Sequence, residues 1–280
     1  MRLLVLGGSS ISGRGFSSSV RTRYPTAEII DLNRSDLGTP GGLPSTAAML
    51  KEIIRRTLND VRPSHIVNFL GSFSNEFGTD LLANVVIPQA LIDAAVDAAP
   101  KSSILLIGSA AEYGKIQNPD LPVSELTPLA PLSVYGLTKM MQSLLVPFYA
   151  TRFSLDVKLA RTFNILAPNL SQRLFVGRVY SQIQEIKAGT RTCIEVGNVE
   201  DERDYISLER ASEDYLKILT RGVRGEVYNV CSGESLKMLK VLEMMLSDAG
   251  ISHTELKTDA SIPRSAVPKI FGSREKIDAL

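Results

Sequence analysis

The 280-residue chain has no tryptophan and only two cysteines and two histidines. Cys193 and Cys231 cannot build the disulfide framework that staples small secreted domains, and they form no CxxC metal knuckles. A reducing compartment is the simpler expectation. His65 and His253 stand at no ligand spacing from cysteines or carboxylates, so no metal site is expected, zinc least of all. Neither sign of charge dominates: 31 Lys plus Arg against 30 Asp plus Glu leaves +1. That balance argues against the broad basic face of a nucleic-acid binder and leaves room only for a local anion pocket. Apolar runs are short, and none approaches the roughly 18 residues of a membrane span. The opening MRLLVLGGSS has one basic residue and too little apolar length for a signal-peptide core. A cytoplasmic protein without membrane association is expected.

What is present is ordinary for a globular chain, with 44% hydrophobic and 22% charged residues. Apolar β-rich runs at 2–6, 28–32, 65–70, 104–107 and 157–160 alternate with helical stretches at 16–23, 47–58, 84–98 and 135–150. The 47–58 segment places Met49, Leu50, Ile53, Ile54 and Leu58 on the 3.6-residue period. This alternation predicts an α/β fold with a Rossmann-type, doubly wound parallel sheet. Beyond residue 162 the texture changes to shorter elements: helices at 175–187, 208–219 and 236–248, and extended runs at 193–196 and 227–230. We therefore expect a dinucleotide-binding domain over 1–162. Residues 163–280 are expected to form mainly a smaller C-terminal α/β substrate lobe, with some segments returning to the sheet. No terminal helix is expected over 263–280. Pro and Gly gather at 38–44 and 118–131, between strand and helix ends, where open α/β sheets bind ligands.

Leu6-Gly7-Gly8-Ser9-Ser10-Ile11-Ser12-Gly13 sets a glycine turn between a strand and a helix, where free backbone N–H groups and the positive helix end receive a pyrophosphate. Gly7 and Gly13 fit a GxxGxxG pattern, and Ser10 takes the place of the middle glycine, which predicts a looser or displaced backbone approach to a cofactor. Asp31, closing the second strand, can accept hydrogen bonds from the ribose hydroxyls of NAD, whereas Arg34 can pair a 2′-phosphate. The two pull in opposite directions. Asp36 is placed to touch adenine, and Asn84 is expected to open a helix beneath the site or to cap it.

Tyr135-Gly-Leu-Thr-Lys139 puts a phenol and an ammonium at i and i+4, on one face of a helix. A neighbouring Lys⁺ favours the phenolate, so the tyrosine pKa is expected to fall towards the working range for proton exchange with a carbonyl or hydroxyl oxygen. With eight Tyr and twelve Lys, chance supplies roughly 0.3 such spacings in this length, and this is the one present. Ser109 follows the 104–107 strand at the sheet's carboxyl edge, where its hydroxyl can steady the same oxygen.

The glycine turn, strand-end serine and helical YxxxK, in that order, resemble the extended short-chain dehydrogenase/reductase family, in its NAD-dependent epimerase/dehydratase branch acting on nucleotide sugars. The segments Ala160-Arg-Thr-Phe-Asn-Ile-Leu-Ala-Pro168, Val196-Gly-Asn-Val-Glu-Asp-Glu-Arg-Asp-Tyr205 and Gly225-Glu-Val-Tyr-Asn-Val-Cys-Ser-Gly233 are similar to those of GDP-6-deoxy-4-keto-hexose reductases. By that resemblance Ser109, Tyr135 and Lys139 are the catalytic residues. The cofactor, NADH or NADPH, meets Gly7, Ser10, Ile11, Gly13, Asp31, Arg34, Asp36, Leu37, Leu70, Tyr135 and Lys139. The substrate meets Ser109, Ala110, Asn164, Phe175, Val176 and Arg203, with Asn164 and Arg203 at the diphosphate and Phe175 and Val176 beside the base. A bidentate guanidinium suits a diphosphate, although an Arg203–Asp204 pair could equally be a plain ion pair.

Between Ser109 and Glu112, where dehydratases of this branch carry an acid/base pair, the chain has Ala110 and Ala111. Methyl groups move no protons, so dehydration is disfavoured, as is epimerisation of the kind that uses a cysteine at Ala111. Reduction of a GDP-linked 4-keto-6-deoxy-hexose is the leading expectation. A 4-epimerase, a reductase of dTDP, CDP or UDP sugars, and a non-catalytic dinucleotide-binding sensor or scaffold remain open. The last is kept by Ser10 and by Asn68-Phe-Leu-Gly71, which departs from the branch's His-Leu-Ala-type run. A homodimer is expected, with Met140, Met141, Leu144 and Leu145 available on the tyrosine-bearing helix.

Overall fold

The computed structural model describes residues 1–38, 47–116, 121–252, 254–259, 262 and 266–280. His253 and most of the Pro/Gly cluster at 38–44 lie outside these, as do 118–120 of the second cluster.

The chain runs β1 (Arg2–Leu6), α1 (Ile11–Arg23), β2 (Glu28–Leu32), α2 (Ala47–Val61), β3 (His65–Asn68), α3 (Phe77–Leu81), a π-helical turn (Leu82–Val86) and α4 (Ile87–Ala98). It continues with β4 (Ser103–Ser109), α5 (Val134–Phe153), β5 (Val157–Thr162), β6 (Asn164–Leu166), α6 (Phe175–Lys187), β7 (Cys193–Val196), β8 (Glu202–Arg203) and β9 (Tyr205–Ser207). Then follow α7 (Leu208–Arg221), β10 (Val227–Val230), β11 (Leu236–Lys237), α8 (Met238–Asp248), β12 (Glu255–Thr258), β13 (Lys269–Ile270) and α9 (Glu275–Asp278).

Six strands pair in parallel in the order β10-β5-β4-β3-β1-β2. The expected doubly wound sheet is therefore present, and its order reverses between β1 and β3, the place where such sheets open a crevice at their carboxyl ends. Alternation along each strand divides the core. Leu4, Leu6, Ile66, Ile104 and Leu106 face α2, α4 and α5, and Leu3, Val5, Val67, Leu105 and Ala160 face α1, α7 and α9. α2 meets the sheet through Leu50, Ile54 and Leu58, each fully buried and spaced by four residues.

Several boundaries differ from expectation for identifiable reasons. α1 starts at Ile11 rather than at residue 16, because Ser10 Oγ accepts the Gly13 N–H at 3.0 Å and caps the helix. Asn84 neither opens nor caps a helix, since helical backbone begins at Phe77 and Asn84 sits inside the π-helical turn. The stretch Phe77–Ala98 is also long and apolar enough, by length and composition, to cross a membrane, which corrects the expectation that none approaches that size. Here it lies against the sheet with Ile87, Leu91, Ile92 and Ala95 in the core. A one-turn helix, α9, does close the chain, with Ile277 fully buried.

Past β5 the elements divide. α7, β10 and α9 return to the main sheet, whereas α6, α8, β7 and β12 enclose a separate core of Val179, Ile183, Ile194, Val196 and Leu242. Asp204, fully buried between β8 and β9, joins the two regions. Its carboxylate accepts the Ser232 N–H (2.6 Å), the Ser232 hydroxyl (2.8 Å), the Gly233 N–H (3.0 Å) and the Gly272 N–H (3.3 Å). Asp204 thus serves loop backbone, and the alternative reading of Arg203 as its ion-pair partner gives way to a pair between Arg203 and Asp201. Replacing Asp204 removes the acceptor of three backbone N–H groups, the buried one of Gly272 and the half-buried ones of Ser232 and Gly233. Asp204→Ala is expected to lower the unfolding free energy by about 3 kcal/mol in chemical denaturation, and a loss below about 0.5 kcal/mol would show the cluster to be dispensable.

Candidate active site

The carboxyl ends of β1 and β3 form the first half of the site. Gly7 takes φ +76°, and a Cβ on it would meet the Leu70 nitrogen at 3.0 Å, so the predicted residues Gly7 and Leu70 are packed together. A Cβ on Gly13 would lie 2.5 Å from the Gly7 carbonyl oxygen, which only glycine avoids. Ile11, half-buried, opens α1 directly behind this turn. Ser10 is turned towards its own helix as the cap, so its side chain does not widen the turn. At Gly8 a Cβ would lie 2.1 Å from Asp31 Oδ1, so the Asp31 carboxylate rests on the glycine turn.

Asn33, which the sequence did not mark, ties the second strand to this turn: its Oδ1 accepts the Ser9 N–H at 3.1 Å. Asp36 Oδ2 accepts the Asn33 N–H at 2.7 Å, giving Asp36 a local partner. Arg34 is exposed on the same short turn. Leu37 is fully buried in the core against α2, so its side chain is committed to packing there and only its backbone is left to meet a cofactor.

The second half centres on Ser109, at the end of β4 in register with Thr162. Ser109 lines the same cavity as Tyr135, which projects from the first turn of α5, and its hydroxyl favours the charged form of that tyrosine. Ser133 Oγ caps that helix by accepting the Gly136 N–H at 3.0 Å, so the tyrosine is held within a defined turn. Lys139, one turn on, donates to the Ile107 carbonyl at 2.7 Å and to Gln142 Oε1 at 3.0 Å. Burial moves the two groups in opposite directions. It pushes Tyr135 up to about 12 and Lys139 down to about 8. The expected lowering of the tyrosine does not occur in the free protein, because the ammonium is committed to Ile107 and Gln142 and burial disfavours the phenolate more than any neighbour favours it.

Beneath Ser109 lies a network that the sequence reading missed. Glu112, fully buried, accepts the Ser109 N–H at 2.8 Å, the Ser143 hydroxyl, and Arg161 Nε at 2.9 Å. Arg161 also donates to the Tyr113 hydroxyl at 3.1 Å and lies 4.7 Å from the centre of that ring. Tyr113 donates in turn to Asn229 Oδ1 at 2.6 Å. The signal was legible: Ser109-Ala-Ala-Glu112 has the spacing of a capping box.

Between the sheet edge and the smaller core lies a cavity of about 1040 Å³. It brings together Ser109, Ala110, Tyr135, Asn164, Phe175, Val176 and Arg203 from the predicted set, and adds Ser12, Phe73, Thr162, Arg173 and Tyr215, which the sequence did not single out. Lys139 does not border it, and neither do Gly7, Ser10, Ile11, Gly13, Asp31, Arg34, Asp36, Leu37 or Leu70. A depression of about 730 Å³ between α1 and α7 holds none of the predicted residues. The ring of Phe73 lies edge-on to Tyr135 at 4.8 Å, and Arg173 donates to the Phe73 carbonyl at 3.1 Å. Asn164 Nδ2 donates to the Asp204 carbonyl at 2.9 Å. Arg203 donates to the Glu202 carbonyl at 2.8 Å and pairs with Asp201 at 3.2 Å. Val176 is buried beside Tyr205 and Val241, so it contributes to the lobe's core as well as to the cavity edge. Among the described residues no group of three His, Cys, Asp or Glu could hold a metal ion.

Residues 51–270 match the family described as GDP-mannose 4,6 dehydratase. The chain belongs to that family. This bears out the resemblance to the epimerase/dehydratase branch of the extended short-chain dehydrogenase/reductases. Among curated relatives it is similar to the GDP-6-deoxy-D-mannose reductase of Pseudomonas aeruginosa, 26% identical over 176 residues, 62% of this chain and 58% of that protein. That match covers less than two thirds of the relative's length. The GDP-6-deoxy-D-talose 4-dehydrogenase of Aggregatibacter actinomycetemcomitans is 24% identical over 99% of this chain and 90% of its own. Among solved structures, RMD from Pseudomonas aeruginosa complexed with NADPH superposes with a TM-score of 0.82 at 21% identity, over 99% of this chain and 91% of that one. UDP-glucose 4-epimerase of Thermotoga maritima with UDP-glucose gives 0.82 at 18% identity, over 100% and 92%. At these identities the superpositions establish a shared fold.

The Glu112–Arg161 pair should behave as a unit. Glu112→Ala is expected to cost about 3–5 kcal/mol by stranding a buried guanidinium, and Glu112→Leu combined with Arg161→Met to recover most of that loss. Equal destabilisation of the single and double variants in urea titrations would contradict this account.

Proposed function

We propose that the protein reduces a nucleotide-linked 4-keto-6-deoxy-hexose, GDP-linked in the first instance, to a GDP-6-deoxyhexose such as GDP-rhamnose, with a reduced nicotinamide dinucleotide as co-substrate. One observation carries this reading: a Ser109–Tyr135 pair faces a cavity large enough for a nucleotide sugar, and its neighbours Ala110 and Ala111 can move no protons. The family's name denotes a dehydratase, and elimination of water needs a further acid and base at the sugar. Alanines supply neither. The two GDP-sugar relatives support the nucleotide, and the NADPH complex of the Pseudomonas protein supports the cofactor class.

The residues at β1 fit a dinucleotide. Gly7, Gly8 and Gly13 keep the turn free of side chains at the start of α1, and the buried Asn68 Nδ2 at the end of β3 has no hydrogen-bond partner among the described residues. The turn would hold the pyrophosphate, Asp31 or Arg34 the adenosine ribose, and Lys139 the nicotinamide ribose. When bound, the reduced nicotinamide supplies the hydride for carbon 4. Tyr135 gives its proton to the oxygen on that carbon, and the Ser109 hydroxyl donates a hydrogen bond to the same oxygen. Asn164 and Arg203 take the diphosphate, and Phe175 and Val176 flank the base, with residues 163–280 mainly supplying this side.

A tyrosine that stays protonated up to about 12 is an acid at neutral pH, which suits reduction. An epimerase must first remove a proton from a hydroxyl, for which the free protein's Tyr135 is poorly disposed. Reduction also needs Lys139 charged. The kcat/KM should therefore stay flat through neutral pH and fall as Lys139 loses its proton near pH 8. With GDP-4-keto-6-deoxymannose and NADH or NADPH, loss of absorbance at 340 nm is expected, and Tyr135→Phe is expected to lower kcat by about 10²–10⁴-fold. The preferred cofactor would tell whether Asp31 or Arg34 governs the ribose. No turnover with GDP, dTDP, CDP or UDP keto sugars, despite cofactor binding, would favour the non-catalytic binding protein.

We further propose a homodimer through α5. Leu137, Leu144 and Phe148 are exposed at 37%, 61% and 57% along one stripe, whereas Leu145 is packed into the core. Light scattering is expected to give twice the chain mass, and Leu144→Asp a monomer. A wild-type mass of one chain would remove the proposal.

A further inference from the structure

Lys139 has a neighbour whose chemistry the reductase reading does not use. Gln142 lies three residues further along α5, on the same helix face. Its side chain is fully buried, and its Oε1 accepts the Lys139 ammonium at 3.0 Å while the Ile107 carbonyl accepts it at 2.7 Å. The other end of the amide has no hydrogen-bond partner among the described residues. A buried amide with an unpaired N–H is a net cost, which leucine or methionine of similar volume would avoid. Its retention in a packed interior therefore calls for a function carried by the oxygen alone.

The charges around Lys139 sharpen the point. Glu112, following β4, is committed to Ser109, Ser143 and Arg161, and Asp80, from α3, accepts Ser74 and Asn75. Tyr135, on the same helix, stays neutral. Across the loop after β3, a Cβ on Gly71 would come within 3.4 Å of Lys139 Nζ and 3.1 Å of Asn84 Oδ1, so the ammonium is closed in from that side too. Both acceptors that hold it directly are therefore uncharged.

We infer that Gln142 is a positioning residue for Lys139: its amide oxygen fixes the ammonium against the Ile107 carbonyl at the carboxyl edge of the sheet without contributing a compensating charge. The inference rests on the proposed function only in making Lys139 the group that meets a cofactor. A neutral acceptor aims the ammonium but leaves burial largely unopposed, in keeping with Lys139 being pushed down to about 8. Removing the oxygen deletes a hydrogen bond to the charged form and should lower the titration further. A carboxylate in its place should raise it.

The test is a pH titration of Lys139 itself, by ¹³Cε NMR of lysine-labelled full-length protein, with the resonance assigned by its loss in Lys139→Arg. Relative to wild type, Gln142→Leu and Gln142→Met are expected to shift the midpoint down by about one pH unit and Gln142→Glu to shift it up by a similar amount. The Leu and Met variants should remain folded with cooperative melts, and the alkaline limb of NADPH binding, followed by its fluorescence, should move with each midpoint. Coincident midpoints in all four proteins would overturn the inference. So would failure of both the Leu and Met variants to fold, which would make Gln142 a structural residue. Shifted midpoints without turnover on any keto sugar would refute the reductase reading and leave the inference standing. Turnover with unshifted midpoints would do the reverse.

Discussion

A carboxylate with no access to water determines where the reactive hydroxyls stand. Glu112 draws together the end of β4 through the Ser109 N–H, the middle of α5 through Ser143, and β5 through Arg161. Strand end, helix and neighbouring strand are thereby clamped at one point directly behind the Ser109–Tyr135 pair. A buried ion pair seldom adds net stability over a well-packed apolar substitute. Here its contribution is directional, because an apolar side chain could not accept the Ser109 N–H and so could not fix the turn that presents the serine.

The same interior accounts for the opposed behaviour of Tyr135 and Lys139. Burial disfavours charge, which means a neutral phenol for one residue and an easily lost proton for the other. A site arranged this way keeps the phenol loaded with its proton at neutral pH but holds that proton tightly, so its release depends on negative charge developing on the acceptor oxygen. The two alanines beside Ser109 are consistent with that economy, since they leave no second acid or base that would complicate the transfer.

Much of this was readable from the chain, in proportion to how local each signal was. The strands β1 to β5 and the helices between them announced themselves by apolar period, and Ser109, Tyr135 and Lys139 by their spacing and their position at strand and helix ends. The inward turn of the Leu37 side chain had no signal in the sequence, because a residue beside a predicted ligand loop shows its direction only through packing against α2. The tyrosine's charge state was misjudged because an i, i+4 pair says which side chains are neighbours and nothing about the acceptors that claim the lysine first. Asn33, Phe73 and Arg173 carried no pattern at all. Asn33 and Arg173 act on backbone atoms of a segment far away in sequence, and Phe73 acts through its ring on Tyr135.

Arg173 gives the cavity a kinetic character. Its hydrogen bond to the Phe73 carbonyl joins the loop before α6 to the loop that carries the aromatic ring beside Tyr135, so it spans the two sides of the site. Both partners are exposed, and such a bond contributes about 1 kcal/mol, which corresponds to an unlatched fraction of about one molecule in six at any instant. A strap this weak imposes no slow step on arrival. It tethers the two loops without locking them together, so the width of the mouth between them is left to the packing on either side.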